Sequence, residues 1–284
     1  MYSAEGVRVT TPTHVWRRAS ALGSPRLILG ILASLTLTAC DLSLGRLTAR
    51  ATEEWTRSYP LAAGGEIRIG NTNGRIEVEG VEGSTVEIRA EKIARAATET
   101  GARELLPRIS IKEDVQPDRV SVETERLTGI MIGAAFEVRY HVRAPKGAVV
   151  NVTTTNGGIG LTALGGKVIA HTTNGGVNAK DLTGGIEARS TNGGVTMDFA
   201  QLGSEGVSAR TTNGGVVIAL PDTAKADVTA SCTNGGIIVS PDLTLAVTEQ
   251  SRRRLEGRLN GGGTPIDLQT TNGGVRIKAR GDGG

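Results

Sequence analysis

One phrase, Thr-Asn-Gly-Gly, recurs at a nearly fixed interval and constrains the fold more than any other feature of the chain. Its asparagines are Asn156, Asn174, Asn192, Asn213, Asn234 and Asn272, at steps of 18, 18, 21, 21 and 38 residues, and a looser copy stands upstream at Asn73. Aligned on the asparagine, the residues six positions earlier are Ile67, Val150, Val168, Ile186, Val207, Val228 and Ile266. Four positions earlier they are Ile69, Val152, Ala170, Ala188, Ala209, Ala230 and Leu268, and the position between is polar in six of the seven copies. That alternation is the period of a half-buried strand. Three places after the asparagine a second strand opens on Ile76, Ile159, Val177, Val195, Val216, Ile237 and Val275.

Each unit therefore reads as strand, Asn-Gly-Gly turn, strand, and a second glycine corner such as Gly165-Gly166 or Gly184-Gly185. A single coil of this kind cannot bury its apolar stripe, so coils must stack, which predicts an all-β solenoid of two-stranded coils. At the strand spacing of about 4.8 Å, the five steps from Asn156 to Asn272 give a rod roughly 24 Å long. Glycine supplies positive φ at the turn and asparagine tolerates the left-handed region. The asparagines share the parity of the inward positions, and stacked amides can hydrogen-bond along the rod as a ladder through Asn73, Asn156, Asn174, Asn192, Asn213, Asn234 and Asn272.

The first 39 residues read as a lipoprotein signal peptide. Arg17, Arg18 and Arg26 precede an apolar run from Leu27 to Leu37, which is too short to span a bilayer. The run closes on Leu37-Thr38-Ala39-Cys40, which resembles a lipobox and makes Cys40 the expected acylated first residue, with Asp41 beside it. Residues 40–56 are expected to form a polar, lipidated tether, 57–279 the solenoid domain with repeats densest over 149–279, and 280–284 a tail. Four of the 32 basic and one of the 29 acidic side chains lie in the first 40 residues, which leaves 28 of each. The net charge of +3 thus belongs to the leader, and nucleic acid is excluded as a partner on charge grounds.

Outside the repeats, 93–106 reads as a short helix ending at Pro107, residues 109–125 as strand, turn and strand, and Phe136–Arg143 as an alternating strand. Cys232 leaves Cys40 no structural disulfide partner in a mature chain and is read as an inward filler.

The order of these phrases resembles the bacterial adhesin-like "toast-rack" domain family. The carriers are Gly-Gly-Glu-Ile-Arg-Ile and Asn-Gly-Arg-Ile-Glu-Val-Glu-Gly within 64–80, Pro145-Lys146-Gly147 after the alternating strand, the serial Thr-Asn-Gly-Gly turns, and the close at 261–274. The resemblance covers roughly 55–279 and implies a β-solenoid in the cell envelope, often beside membrane-stress or regulatory proteins. It brings no catalytic residues.

No constellation for chemistry stands out. Glu187, Asp198, Asp227 and Asp267 fall on different rungs, and His141 and His171 have no metal-spaced partners. His171 occupies an outward position, no aromatic stripe offers a platform for sugars, and neither cofactor nor metal nor small-molecule substrate is expected. Arg252, Arg253, Arg254 and Arg258 form the one concentrated charge, the expected contact to lipid headgroups or an acidic envelope polymer if the loop is more than solvated. The reading is a non-catalytic, membrane-anchored envelope lipoprotein facing the periplasm or exterior, with an envelope protein or polymer as partner. The rivals are an enzyme acting on envelope polysaccharide and a sensor in an envelope-stress system.

Overall fold

The computed structural model describes residues 47–125 and 133–281. Every strand that ends on a ladder asparagine enters one sheet: β2 (Glu66–Asn73), β8 (Val149–Asn156), β10 (Val168–Asn174), β12 (Ile186–Asn192), β14 (Val207–Asn213), β16 (Ala226–Asn234) and β20 (Thr264–Asn272). Every strand that follows a corner enters the other: β3 (Ile76–Val81), β9 (Ile159–Thr162), β11 (Val177–Leu182), β13 (Val195–Phe199), β15 (Val216–Leu220), β17 (Ile237–Val239) and β21 (Val275–Ala279). We call these the ladder sheet and the return sheet.

Pairing between coils is parallel and in register, so identical positions of the repeat stack: Val168 opposite Ile186, Ala170 opposite Ala188, Asn174 opposite Asn192. Both sheets turn their apolar columns inward. Val150, Val168, Ile186, Val207, Val228 and Ile266 are all at most 3% exposed. Each such aliphatic side chain contributes about 1.5–3 kcal/mol on full burial, and no single coil could supply the second wall that this needs.

The remaining elements close the ends. These are β1 (Ala49–Pro60), β4 (Thr85–Ala96), the helix α1 (Glu99–Leu105), β5 (Ile111–Gln116), β6 (Arg119–Thr124), β7 (Ala134–Pro145), β18 (Leu245–Gln250) and β19 (Arg254–Leu259). The ladder sheet runs β18-β19-β16-β20-β14-β12-β10-β8-β2-β6-β5, and the return sheet β1-β4-β7-β3-β9-β11-β13-β15-β21-β17. Strands β6 and β7 pair parallel with β2 and β3, whereas β5, β4 and β1 pair antiparallel outside them. At the other end β19 and β18 pair antiparallel on β16.

The last coil in sequence is not the last in space. Strand β20 sits between β14 and β16, and β21 between β15 and β17. After β17 the chain leaves through the β18–β19 hairpin and re-enters one coil inward, so Asn272 is an internal rung and Asn234 the terminal one.

Three expectations need correction. The segment read as tether is strand from Ala49 onward, because its polar residues are cross-strand ion partners: Arg50 with Glu91 at 2.9 Å and Lys92 with Glu53 at 2.9 Å. The helix is confined to 99–105, capped by the Thr98 hydroxyl accepting from Gly101 N at 3.1 Å, while Ile93 belongs to β4, whose β-branched and alanine inward face looked helical in spacing. The ladder asparagines are not inward-facing and none is left-handed. Six are exposed, and among the described residues the non-glycine positions with positive φ are Ala163, Asp181 and Asn260.

The first glycine of each corner is required by close approach. A Cβ on Gly175 would stand 2.1 Å from Gly157 O, and one on Gly193 2.2 Å from Gly175 O. Corners stack so tightly that any side chain would strike the carbonyl of the coil beside it.

Candidate binding face

The corner column presents the ladder as a continuous chain of side-chain amides. Asn156 Nδ2 donates to Asn73 Oδ1 at 2.8 Å, Asn174 to Asn156 at 2.7 Å, Asn192 to Asn174 at 2.9 Å and Asn213 to Asn192 at 2.8 Å. Asn272 then donates to Asn213, and Asn234 to Asn272, both at 2.8 Å. All seven predicted asparagines are joined, each donor pointing the same way along the array. Every interior amide uses one donor and its oxygen internally.

Two positions before each asparagine lies the buried counterpart of that ladder. Thr172 donates its hydroxyl to Gly157 O at 2.8 Å, Ser190 to Gly175 O at 2.7 Å, Thr211 to Gly193 O at 2.7 Å and Thr270 to Gly214 O at 2.7 Å. Asn71 does the same service with its amide, to Val138 O at 2.7 Å. Cys232 takes this position in β16, is 6% exposed, and fills the space as a free thiol. Strand propensity hid the row, since Thr at this site reads equally well as a surface residue.

One position before every asparagine is a threonine: Thr72, Thr155, Thr173, Thr191, Thr212, Thr233 and Thr271. The last five are exposed, and the hydroxyls of this row meet no hydrogen-bond partner within the described residues. The seven-fold recurrence was in the sequence.

Further up the same strands the outer face is charged and paired. Arg189 binds Glu187 at 2.8 Å and Arg210 binds Asp267 at 2.8 Å, while His171 Nε2 stands 3.5 Å from Glu187. The inserted coil places Asp267 on the far side of Ser208 from Glu187, and both carboxylates border one hollow of about 620 Å³ with Lys167, Glu205 and Arg210. Linear spacing alone kept those two carboxylates on unrelated rungs. On the return sheet, His141 Nδ1 meets Glu77 at 2.9 Å and Arg75 meets the same carboxylate at 2.8 Å, beside a hollow of about 510 Å³ over Gly160.

The other sequence candidates resolve as ion-pair partners. Asp198 is held by Arg280 at 2.9 Å and Asp227 by Arg258 at 3.4 Å. Of the arginine cluster, Arg254 is engaged by Glu249 at 3.2 Å and by Glu256, whose carboxylates draw its guanidinium pKa up. Arg252 and Arg253, in the turn between β18 and β19, meet no carboxylate among the described residues. No three His, Cys, Asp or Glu side chains converge as metal ligands among the described residues, and no helix there is long and apolar enough to cross a membrane. Cys40 and residues 1–39 lie outside the described residues.

These observations define a β-solenoid of parallel two-stranded coils with antiparallel strands closing its ends. The Toastrack DUF4097 family model matches residues 62–278, and the chain belongs to that family. Among solved structures, a proposed cell adhesion protein from Clostridium sporogenes shares 11% identity over 81% of this chain and 100% of its own, with a TM-score of 0.45. A proposed adhesin from Bacteroides fragilis shares 11% identity over 80% of this chain and 97% of its own, at 0.39. A proposed lipid binding protein from Parabacteroides distasonis shares 10% identity over 80% and 96%, at 0.26. With scores this low, the family match alone carries the assignment. No curated protein matches the chain.

Proposed function

We propose that this is a non-catalytic cell-envelope protein, anchored through an acylated Cys40, whose solenoid faces bind or hold another envelope component. The observation that carries it is the pairing of the four outward carboxylates that the sequence offered for hydrolysis. Glu187, Asp198, Asp227 and Asp267 are each paired with an arginine, at 2.8, 2.9, 3.4 and 2.8 Å respectively. An acid–base pair must be free to reach a substrate proton, and these are committed to the surface that carries them. Long, regular outer faces are what solenoids offer partners.

Two measurements test the proposal. The full chain is expected to leave a panel of peptidoglycan and polysaccharide substrates intact while binding native envelope saturably. Turnover abolished by Glu187→Gln, Asp198→Asn or Asp267→Asn would decide for the polysaccharide-active enzyme instead. Cys40→Ser is expected to release the protein from membranes, because stable anchoring needs the acyl chains; a mutant that still sediments with membranes would refute the anchor.

A further inference from the structure

A trough of about 410 Å³ runs along the outer face of the ladder sheet, and its lining singles it out from the other hollows. One wall is Thr191, Thr212, Thr271 and Thr233; the other includes Arg189 and Arg210. It crosses β12, β14, β20 and β16 in turn, so it follows the coil axis for three strand steps, about 14 Å. No carboxylate lines it, in contrast to the hollow at Ser208 and the hollow at Gly160. Arg189 and Arg210 each face a carboxylate of the neighbouring row through one terminal nitrogen, and a guanidinium carries five donors.

At its β16 end the trough lies one strand pairing from the turn that carries the two unpaired arginines. Cys232, between the lining residues Ser231 and Thr233, donates its backbone N–H to Arg253 O at 2.9 Å, and its Sγ stands 3.9 Å from Arg252 O. The turn bearing Arg252 and Arg253 is thereby fastened beside the last rung, where both side chains are exposed and meet no carboxylate among the described residues.

We propose that this trough binds one strand of an acidic polysaccharide, laid along the coil axis with its carboxylates toward Arg252 and Arg253. This rests on the binding reading above and names its site and ligand class. The alternatives fit the lining less well. Single-stranded nucleic acid and neutral sugars call for aromatic platforms, and the lining has none. A peptide strand would need a free sheet edge, and the trough lies on paired strands. An anionic membrane is held by clusters of four to eight basic residues, against two unpaired ones here. An extended polyol with spaced carboxylates meets a row of unpartnered hydroxyls that both donate and accept, and guanidiniums that hold carboxylate with charge-assisted hydrogen bonds.

The test titrates polygalacturonate into the full chain, with dextran and phosphatidylglycerol vesicles as parallel arms and native envelope fragments as a fourth. Saturable binding to polygalacturonate that weakens with salt is expected, with dextran and vesicles much weaker. Arg252→Ser with Arg253→Ser should weaken it about tenfold, the scale of two exposed ion pairs, and flatten its salt dependence. Thr212→Val with Thr271→Val should weaken it severalfold without changing the salt dependence or the urea midpoint, since valine keeps the shape and strand propensity but not the hydroxyl. Equal affinity for dextran, binding to vesicles alone, or unchanged affinity in both double variants would overturn the trough. If the variants still bound envelope fragments as the parent does, the trough would fall and the binding role would stand; no envelope binding by the parent would remove both.

Discussion

Asn272 donates its side-chain amide to Asn213 at 2.8 Å across 59 positions of sequence, and Asn234, which precedes Asn272 in the chain, lies beyond it as the terminal rung. The ladder is therefore threaded out of chain order. Strands β14 and β16 each lack one of their two native neighbours until β20 (Thr264–Asn272) arrives between them.

A chain ending at Gly263 is expected to lose its single cooperative urea transition, because the missing coil is internal to the array and both of its neighbours lose their pairing. Excising 245–259 is a milder lesion. That hairpin caps the end, and its flanks already meet, Asn260 N donating to Thr244 O at 3.5 Å. The excised protein should keep one transition at a lower midpoint. A cooperative transition in the chain ending at Gly263 would mean that β16 can dock directly on β14.

Gly193→Ala should cost on the order of 3 kcal/mol or more, since the new Cβ would lie 2.2 Å from Gly175 O and the stacked backbone has nowhere to move. Gly236→Ala, at the open terminal corner with nothing within 4 Å, should change stability by less than about 1 kcal/mol. Similar urea midpoints for the two variants would refute close stacking as the reason for the glycines.

Asn192→Leu removes one donated and one accepted hydrogen bond, at 2.9 and 2.8 Å, and is expected to destabilise by about 1–3 kcal/mol. Arg189→Ala removes a half-exposed ion pair with Glu187 and should cost less than about 1 kcal/mol. Chemical denaturation of both variants checks the order, which reverses if the amide row is ornamental.

The alkaline limb of stability should depend on Tyr140. Its ring is buried and its hydroxyl lies 2.7 Å from that of Thr124; burial pushes the phenol up from 10.0 to about 12. Between those values the folded state retains a proton that the unfolded state has lost. Its contribution is therefore intact below pH 10 and is lost as pH rises to 12, about 2–3 kcal/mol in all. Burial and the Glu113 carboxylate shift Tyr59 in the same direction, so Tyr140→Phe should shallow the limb without flattening it. At pH 8 the variant should lose about 1 kcal/mol for the unpartnered Thr124 hydroxyl. Urea midpoints at pH 8, 10 and 11.5 read both effects, and an unchanged slope above pH 10 would exclude Tyr140 from it.

The repeat by itself determined the local chemistry of each coil: two strands, an Asn-Gly-Gly corner, which residues enter the core, and the amide row. These follow from period-two alternation and from the small set of residues that a stacked corner admits, and both are written within about twenty consecutive positions. Residues 49–56 were misread because an outer strand held by ion pairs with β4 has no apolar period to show. The order of the coils, the meeting of Glu187 and Asp267 across Ser208, the freedom of Arg252 and Arg253 beside the last rung, and the trough between the threonine and arginine rows were decided only by the tertiary structure. In-register parallel pairing makes every coil edge nearly equivalent to every other, so the repeat cannot specify its neighbour; the β18–β19 hairpin, which carries the chain past β16 and back inside it, does.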